Sequence, residues 1–187
     1  MTKARHDIDI HFQSSRDDWE TPHDLFNSLD EIFHFDLDVC ANEANHKCDK
    51  WLGSGSDIED AFSMAGYMAW RNANTCWMNN PYGRKSTPLW IKEAYRQWLD
   101  NNTSTICLIP ARTETKCFHQ YCWKAEAILF FKGRIKFIAD GKTENAAPFP
   151  SCLVFFTNKE DSKKLSKDPR TESGKLFTSL GHLVINS

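Results

Sequence analysis

Apolar residues recur along the chain with two periods, one typical of amphipathic helices and one typical of buried strands. Helical spacing follows Thr21-Pro22 and Thr87-Pro88, where a hydroxyl side chain suited to helix capping precedes a proline suited to the first turn. The first of these helices is predicted to end near His34. Because helices and strands alternate with short connections, we expect an α/β layered sheet. Short apolar runs predict its strands at 35–40, 75–78, 104–110, 127–131, 152–156 and 182–185.

The chain of 187 residues is long enough for one domain with a core of its own. Residues 1–18 are polar and lack a sustained period, which predicts a flexible leader before a domain at 19–187. The tract 158–175 is charged and also lacks a period, so we interpret it as a mobile loop within that domain. The segment 133–137 begins with glycine and is predicted to form a hairpin.

Net charge, Cys spacing and the length of apolar runs restrict the classes of protein to which the chain can belong. Lys and Arg number 23 against 25 for Asp and Glu, so the net charge of -2 gives no global signature of nucleic-acid binding and any DNA contact must come from a local patch. The seven Cys residues lack the paired spacings of a disulfide framework or a metal site, which predicts a reducing compartment and no metal. No apolar run approaches the roughly 20 residues of a membrane span, so we expect a soluble, cytoplasmic protein. The oligomeric state is left open.

The tetrapeptide Asn79-Asn80-Pro81-Tyr82 directly follows the predicted strand 75–78. In an open α/β sheet the ligand binds beyond the carboxyl ends of the strands, which is where this segment emerges. It resembles the Asp/Asn-Pro-Pro-Tyr motif of amino-group methyltransferases, and it departs from that motif at Asn80, where the family has proline. Taken alone, the tetrapeptide is equally typical of an ordinary turn.

The residue types of this motif suit methylation of an exocyclic amine, which is a poor nucleophile because its lone pair is delocalised into the ring. The side-chain oxygen of Asn79 and the main-chain carbonyl of Asn80 can accept hydrogen bonds from the two N–H groups. Pro81 would stiffen the turn that aims them. Tyr82 could stack on a base rotated out of the duplex.

Five blocks in order extend the resemblance across the chain from Asp18 to Phe156. They are Trp19-Glu20-Thr21-Pro22, the segment 35–41, the Asn79 motif, Ile109-Pro110-Ala111-Arg112-Thr113 and Gly133-Arg134-Ile135-Lys136-Phe137. Together they are similar to the phage-type DNA N-6-adenine-methyltransferase (phage Dam-like) family. The resemblance implies a compact, Rossmann-like, S-adenosylmethionine-dependent methyltransferase fold. It also implies transfer of a methyl group from S-adenosylmethionine to a flipped adenine in double-stranded DNA, in the host cytoplasm if the protein is phage-encoded.

The resemblance also implies a cofactor site. The Thr21-Pro22 block would lie near the methionine end of the cofactor, although helix capping explains these residues equally well. Asp38 would meet the amino-acid moiety, because an anion pairs with an ammonium. Asp60 is favoured over Asp57 for the adenine end, with an exposed helix start as the alternative. The full predicted set is Trp19, Thr21, Pro22, Asp38, Cys40, Ala41, Asp60 and Asn79.

Basic residues beside the motif blocks are the predicted DNA contacts, since positive charge near the reaction centre can hold phosphates that flank a flipped base. They are Arg84, Lys85, Arg112, Arg134 and Lys136. The absence of a Gly-x-Gly-x-x-Gly loop argues against a dinucleotide enzyme. Two alternatives stay open: an amino-methyltransferase acting on cytosine N4, RNA adenine or protein glutamine, and a catalytically inactive DNA-binding relative.

Overall fold

The computed structural model describes residues 19–139, 142–143 and 146–186; the predicted leader 1–18 lies outside them. None of the described helices is long and apolar enough to cross a bilayer. A 3-10 turn, Cys122–Lys124, follows the fourth helix. In chain order the elements are α1 (His23–Phe33), β1 (Leu37–Asp38), α2 (Met64–Asn72), β2 (Thr75–Met78), α3 (Ser86–Asn101), β3 (Ser104–Pro110), α4 (Lys116–Gln120), β4 (Ala127–Phe131), β5 (Ile138–Ala139), β6 (Lys142–Thr143), β7 (Ser151–Phe156), α5 (Lys159–Ser162), α6 (Glu172–Leu180) and β8 (Gly181–Ile185).

Six strands form one mixed sheet in the order β1-β2-β3-β7-β4-β8. The first three strands are parallel, and α2 and α3 connect them in sequence. Strand β7 runs antiparallel to both β3 and β4, and β8 runs antiparallel to β4. Strands β5 and β6 form a separate pair. The chain is therefore a mixed α/β domain in which the parallel half of the sheet comes first.

Helices cover both faces of the sheet. Strand β3 shows this arrangement, because Cys107 and Ile109 belong to one buried cluster while Ile106 and Leu108 belong to the other. Helices α2, α3 and α4 pack on the first face, and α1 and α6 pack on the second. A strand that is buried on both faces has no polar alternation, which is why the central strands read as continuous apolar runs.

The predicted strands 75–78, 104–110 and 127–131 are confirmed at their bounds, and β7 and β8 each begin one residue early. The strand predicted at 35–40 is reduced to Leu37–Asp38. Both predicted hydroxyl caps are wrong. Helix α1 has Pro22 at its N-cap without a side-chain cap bond, and α3 begins at Ser86, so Thr87 lies inside the helix. Each hydroxyl instead accepts a hydrogen bond from a side-chain amide of the loop after β2, which is 58 positions away for Thr21 and 7 positions away for Thr87.

The tract 158–175 contains α5 and the first turn of α6, which are joined by turns and irregular chain at 163–171. Asn158 caps α5 by accepting hydrogen bonds from the backbone N–H groups of Glu160 and Asp161. Asp161 is buried and accepts a hydrogen bond of 2.8 Å from the Thr75 hydroxyl at the start of β2. The apolar pattern does not report these polar contacts of α5, and the mobility of the tract stays a prediction. The described residues 133–137 contain no strand, and the hairpin begins one residue later, at Ile138.

Candidate active site

A cleft opens at the carboxyl ends of β1 and β2. Asp38 is the last residue of β1, and Asn79 and Asn80 directly follow β2. On the side of β1 away from β2, Trp51 forms an isolated parallel bridge to Asp38, so backbone flanks this residue on both sides. In open α/β sheets, ligands bind in a crevice beyond the carboxyl ends of the strands. The sequence-predicted residues that line the cleft are Trp19, Thr21, Asp38, Cys40, Asn79, Asn80 and Pro81.

Asp38 brings a buried carboxyl group to the cleft. Its Oδ1 accepts a hydrogen bond of 3.2 Å from the Cys40 backbone N–H, and its Oδ2 accepts one of 3.1 Å from the Lys47 backbone N–H. Burial raises the pKa of Asp38 to about 6, although these hydrogen bonds and the charges of Lys47 and His46 act in the opposite direction. A carboxylate that is held in place but poorly solvated is a ready partner for a cation.

A lysine and a glutamate form an ion pair in the same cleft. The Lys47 Nζ lies 2.6 Å from Glu20 Oε1, with 5% of the lysine side chain and 21% of the glutamate side chain exposed. Glu20 is held there by a backbone bridge to Ile138. The cleft therefore combines the carboxyl groups of Asp38 and Glu20 with the ammonium of Lys47.

Asn79 is oriented by hydrogen bonds on both sides of its amide. Its Nδ2 donates to the backbone carbonyl of Trp19 and, at 3.0 Å, to the buried hydroxyl of Thr21. Its Oδ1 accepts a hydrogen bond of 2.7 Å from the Tyr82 hydroxyl. A carbonyl oxygen has two lone pairs, so Oδ1 can accept a second hydrogen bond from a ligand in the cleft.

Asn80 replaces the rigidity of the absent proline with hydrogen bonds. Its Nδ2 donates to the Pro81 carbonyl at 2.8 Å and to Thr87 Oγ1 at 3.2 Å, which ties the loop to the first turn of α3. The Asn80 side chain is buried, and its Oδ1 has no hydrogen-bond partner among the described residues. A buried amide oxygen in this state favours a bound donor.

Tyr82 is absent from the lining of the cleft, and its stacking on a base stays a prediction. The side chain is 5% exposed and packs edge-on against Phe137 and Phe149, at ring-centroid distances of 5.9 and 5.5 Å. Burial raises the pKa of the phenol well above its ordinary value. A base could stack on this ring only if Phe137 or Phe149 moved away.

Three predicted cofactor residues lie outside the lining of the cleft. Pro22 is the N-cap of α1, and Ala41 is buried behind Cys40, where its backbone N–H donates to the Leu52 carbonyl. Asp60 is exposed, and its carboxylate accepts a hydrogen bond of 2.8 Å from the backbone N–H of Phe62. The local turn therefore explains Asp60 without a ligand.

The predicted DNA contacts are all exposed, and two of them share a second cavity. Arg84 and Arg112 lie at its rim, and its lining includes the apolar side chains of Ile91, Ile109 and Phe118. Gly83 also lines this cavity, so the loop after β2 separates it from the cleft. The other three contacts, Lys85, Arg134 and Lys136, line neither space.

Sequence reasoning missed four residues that line the cleft: Glu20, Asn45, Lys47 and Trp77. Glu20 belongs to a block that carries the family resemblance, so its position was a usable signal. Asn45 and Lys47 lie in a polar stretch with no period, and no local pattern distinguishes them from solvated loop residues. Within the described residues, no group of three or more His, Cys, Asp or Glu is arranged to hold a metal ion.

Two comparisons with known proteins concern the family to which this chain belongs. A search of curated proteins gives no match. The family described as DNA N-6-adenine-methyltransferase (Dam) matches residues 11–176, a range that contains all five blocks and both strands that end at the cleft. The predicted resemblance is thereby confirmed, and the chain belongs to the DNA N-6-adenine-methyltransferase (Dam) family.

Proposed function

We propose that this protein transfers a methyl group from S-adenosylmethionine to the N6 amine of an adenine that has been rotated out of double-stranded DNA. The observation that carries the proposal is the oriented amide of Asn79 at the cleft, with the buried carboxyl group of Asp38 beside it. The pair offers a hydrogen-bond acceptor for an amine and an anion for a cosubstrate that carries an ammonium group. Three parallel strands with helices on both faces support the Rossmann-like assignment.

The residues present fit S-adenosylmethionine, which supplies an electrophilic methyl group on a sulfonium. Asp38 would pair with the ammonium of its methionine moiety, and Trp19, Thr21 and Cys40 would line the same end of the cleft. No phosphate-binding loop is required, because this cosubstrate has no phosphate. Asp60 is left out of the proposed site, since its carboxylate is engaged in a local turn.

The motif loop would hold the amine. Asn79 Oδ1 accepts one N–H and the main-chain carbonyl of Asn80 accepts the other, which turns the nitrogen lone pair towards the methyl carbon. When the nitrogen–carbon bond forms, the carbon–sulfur bond breaks and the amine loses a proton. Tyr82 is a positioning residue in this scheme, because its hydroxyl donates a hydrogen bond to Asn79 Oδ1 and so orients the amide.

The five exposed basic residues remain our proposed DNA contacts. Arg84 and Lys85 are the strongest, because they follow the motif loop directly and would reach phosphates next to a flipped base. Arg112 lines the second cavity together with Arg84, and Arg134 and Lys136 lie in the segment that leads to the Glu20 bridge. Neutralising one such contact should weaken DNA binding for all sequences alike and reduce its salt dependence.

The test is incubation of the protein with methyl-labelled S-adenosylmethionine and unmethylated duplex DNA, followed by digestion and nucleoside mass spectrometry. We expect the label in N6-methyl-2'-deoxyadenosine. Asn79→Ala should lose it, and Asn27→Ala, which removes an exposed amide on α1, should keep it. Label in N4-methylcytosine would replace the substrate in the proposal. Cosubstrate binding without label in any DNA, RNA or protein acceptor would favour an inactive relative.

A further inference from the structure

We infer that Lys47 binds the α-carboxylate of the cosubstrate's methionine moiety, an assignment that rests on the proposed function. Lys47 lies in the loop between β1 and α2, and its backbone is fixed beside Asp38 by the hydrogen bond from its N–H to Asp38 Oδ2. The side chain lines the cleft rather than extending into solvent. The same residue therefore supports the anion of the site through its backbone and adds a cation through its side chain.

The burial of this ammonium is unusual for a simple surface ion pair. The Lys47 side chain is 5% exposed, yet its partner Glu20 is 21% exposed and lies 2.6 Å away. The His23 Nδ1 lies 3.4 Å from the same nitrogen. Burying a charge carries a large desolvation penalty unless hydrogen bonds satisfy it, and an ammonium has three donors. A ligand carboxylate in the cleft would supply a further acceptor.

The charges that line the cleft complement both ends of an amino acid. Asp38 and Glu20 can receive an ammonium, and Lys47 is the one cation among the described residues of the lining. With both carboxyl groups ionised, the three side chains carry one net negative charge. S-adenosylmethionine carries one net positive charge, because its sulfonium adds to a zwitterionic amino-acid group. The carboxylate of that group has no other cationic partner in the described lining.

Binding measured by titration calorimetry, without turnover, tests the assignment. S-adenosylmethionine is compared with its decarboxylated analogue, which keeps the sulfonium and the amine. The wild-type protein should bind the analogue about 10- to 100-fold more weakly, as expected when a charge-assisted hydrogen bond is lost. Lys47→Met should bind S-adenosylmethionine as weakly as the wild type binds the analogue, and it should no longer distinguish the two ligands.

Two further variants separate this role from a structural one. Lys47→Arg keeps the charge and should retain part of the preference for the carboxylate. Lys50→Met removes an exposed lysine of the same loop and should bind like the wild type. A Lys47→Met protein that is folded by circular dichroism and keeps the full preference would overturn the assignment while leaving the proposed function standing. A wild-type protein that binds neither ligand would overturn both.

Discussion

The carboxyl group of Asp38 should make cosubstrate binding depend on pH near 6. Burial raises its pKa from 3.8 to about 6, and the proposed ammonium partner requires the ionised form. With that pKa, about one Asp38 side chain in ten is ionised at pH 5 and about nine in ten at pH 7. The dissociation constant of S-adenosylmethionine should therefore be about tenfold higher at pH 5 than at pH 7, with little change above pH 7.

Calorimetric titration at constant ionic strength from pH 5 to pH 8 measures this dependence. Asp38→Asn is the matched variant, because its amide oxygen can keep one of the two backbone N–H bonds. It should bind weakly at every pH, without the tenfold change. A flat profile in the wild type would refute the reasoning. The same slope in Asp38→Asn would show that the pH dependence does not come from Asp38.

The same pKa shift has a consequence for stability, with a definite sign. The folded protein holds the Asp38 proton more tightly than the unfolded chain, so the stabilising effect is present below about pH 3.8 and is lost as the pH rises through about 6. The shift limits the loss to about 3 kcal/mol. Urea denaturation at pH 4.5 and pH 7 should show about 2 kcal/mol of this loss in the wild type and not in Asp38→Asn. Saturating cosubstrate should offset it at pH 7.

Three further predictions concern residues at different depths in the domain. Asn79→Ala should lower turnover by about 100-fold or more while the dissociation constant of S-adenosylmethionine changes little, because the amide acts on the amine; equal losses in both measurements would contradict this role. Tyr82→Phe should lower the free energy of unfolding by about 1–3 kcal/mol in urea denaturation, because the hydroxyl that donates to Asn79 is lost while the buried ring is kept; an unchanged free energy of unfolding would show that this hydrogen bond contributes nothing. Thr75→Val should cost about 1–3 kcal/mol in urea denaturation without loss of turnover, because buried Asp161 loses a donor at 2.8 Å; an unchanged midpoint would show that this buried pair contributes nothing.

The strands of the sheet could be predicted from the sequence where both of their faces are buried. Strands β2, β3 and β4 are buried on both faces along most of their length, so each appears as an unbroken apolar run ended by proline, glycine or polar residues. The position of Asn79 followed from the same reasoning, because a polar residue directly after a buried strand must emerge at the sheet edge. Strand order and the antiparallel insertion of β7 could not be predicted, since no local pattern encodes the partner of a strand.

The site residues that were mispredicted share a physical cause. Thr21 and Thr87 have the sequence of helix caps, but their hydroxyls accept hydrogen bonds from the amides of Asn79 and Asn80 in the loop after β2. Lys47 has the sequence of a solvated loop residue, yet its side chain is 5% exposed and pairs with Glu20, 27 positions away. In each case a polar partner in another element or loop bonds to the side chain, and periodicity carries no information about such partners.

Hydrogen bonds of the same kind also connect the proposed cosubstrate cleft to the proposed DNA contact at Arg84. The Asn79 amide is tied to the Trp19 and Thr21 wall of the cosubstrate cleft, and the Asn80 amide is tied to the first turn of α3, next to Arg84. A phosphate bound near Arg84 would therefore influence the position of the four-residue loop that holds the two proposed amine acceptors. Proline at position 80 would keep the loop stiff and lose the side-chain bond to Thr87, but the Ser86 and Thr87 hydroxyls would still donate to the Pro81 carbonyl, at 3.1 and 3.3 Å. The departure from the family motif therefore adds one hydrogen bond to a link that the loop already makes between the proposed amine acceptors and the proposed DNA contact.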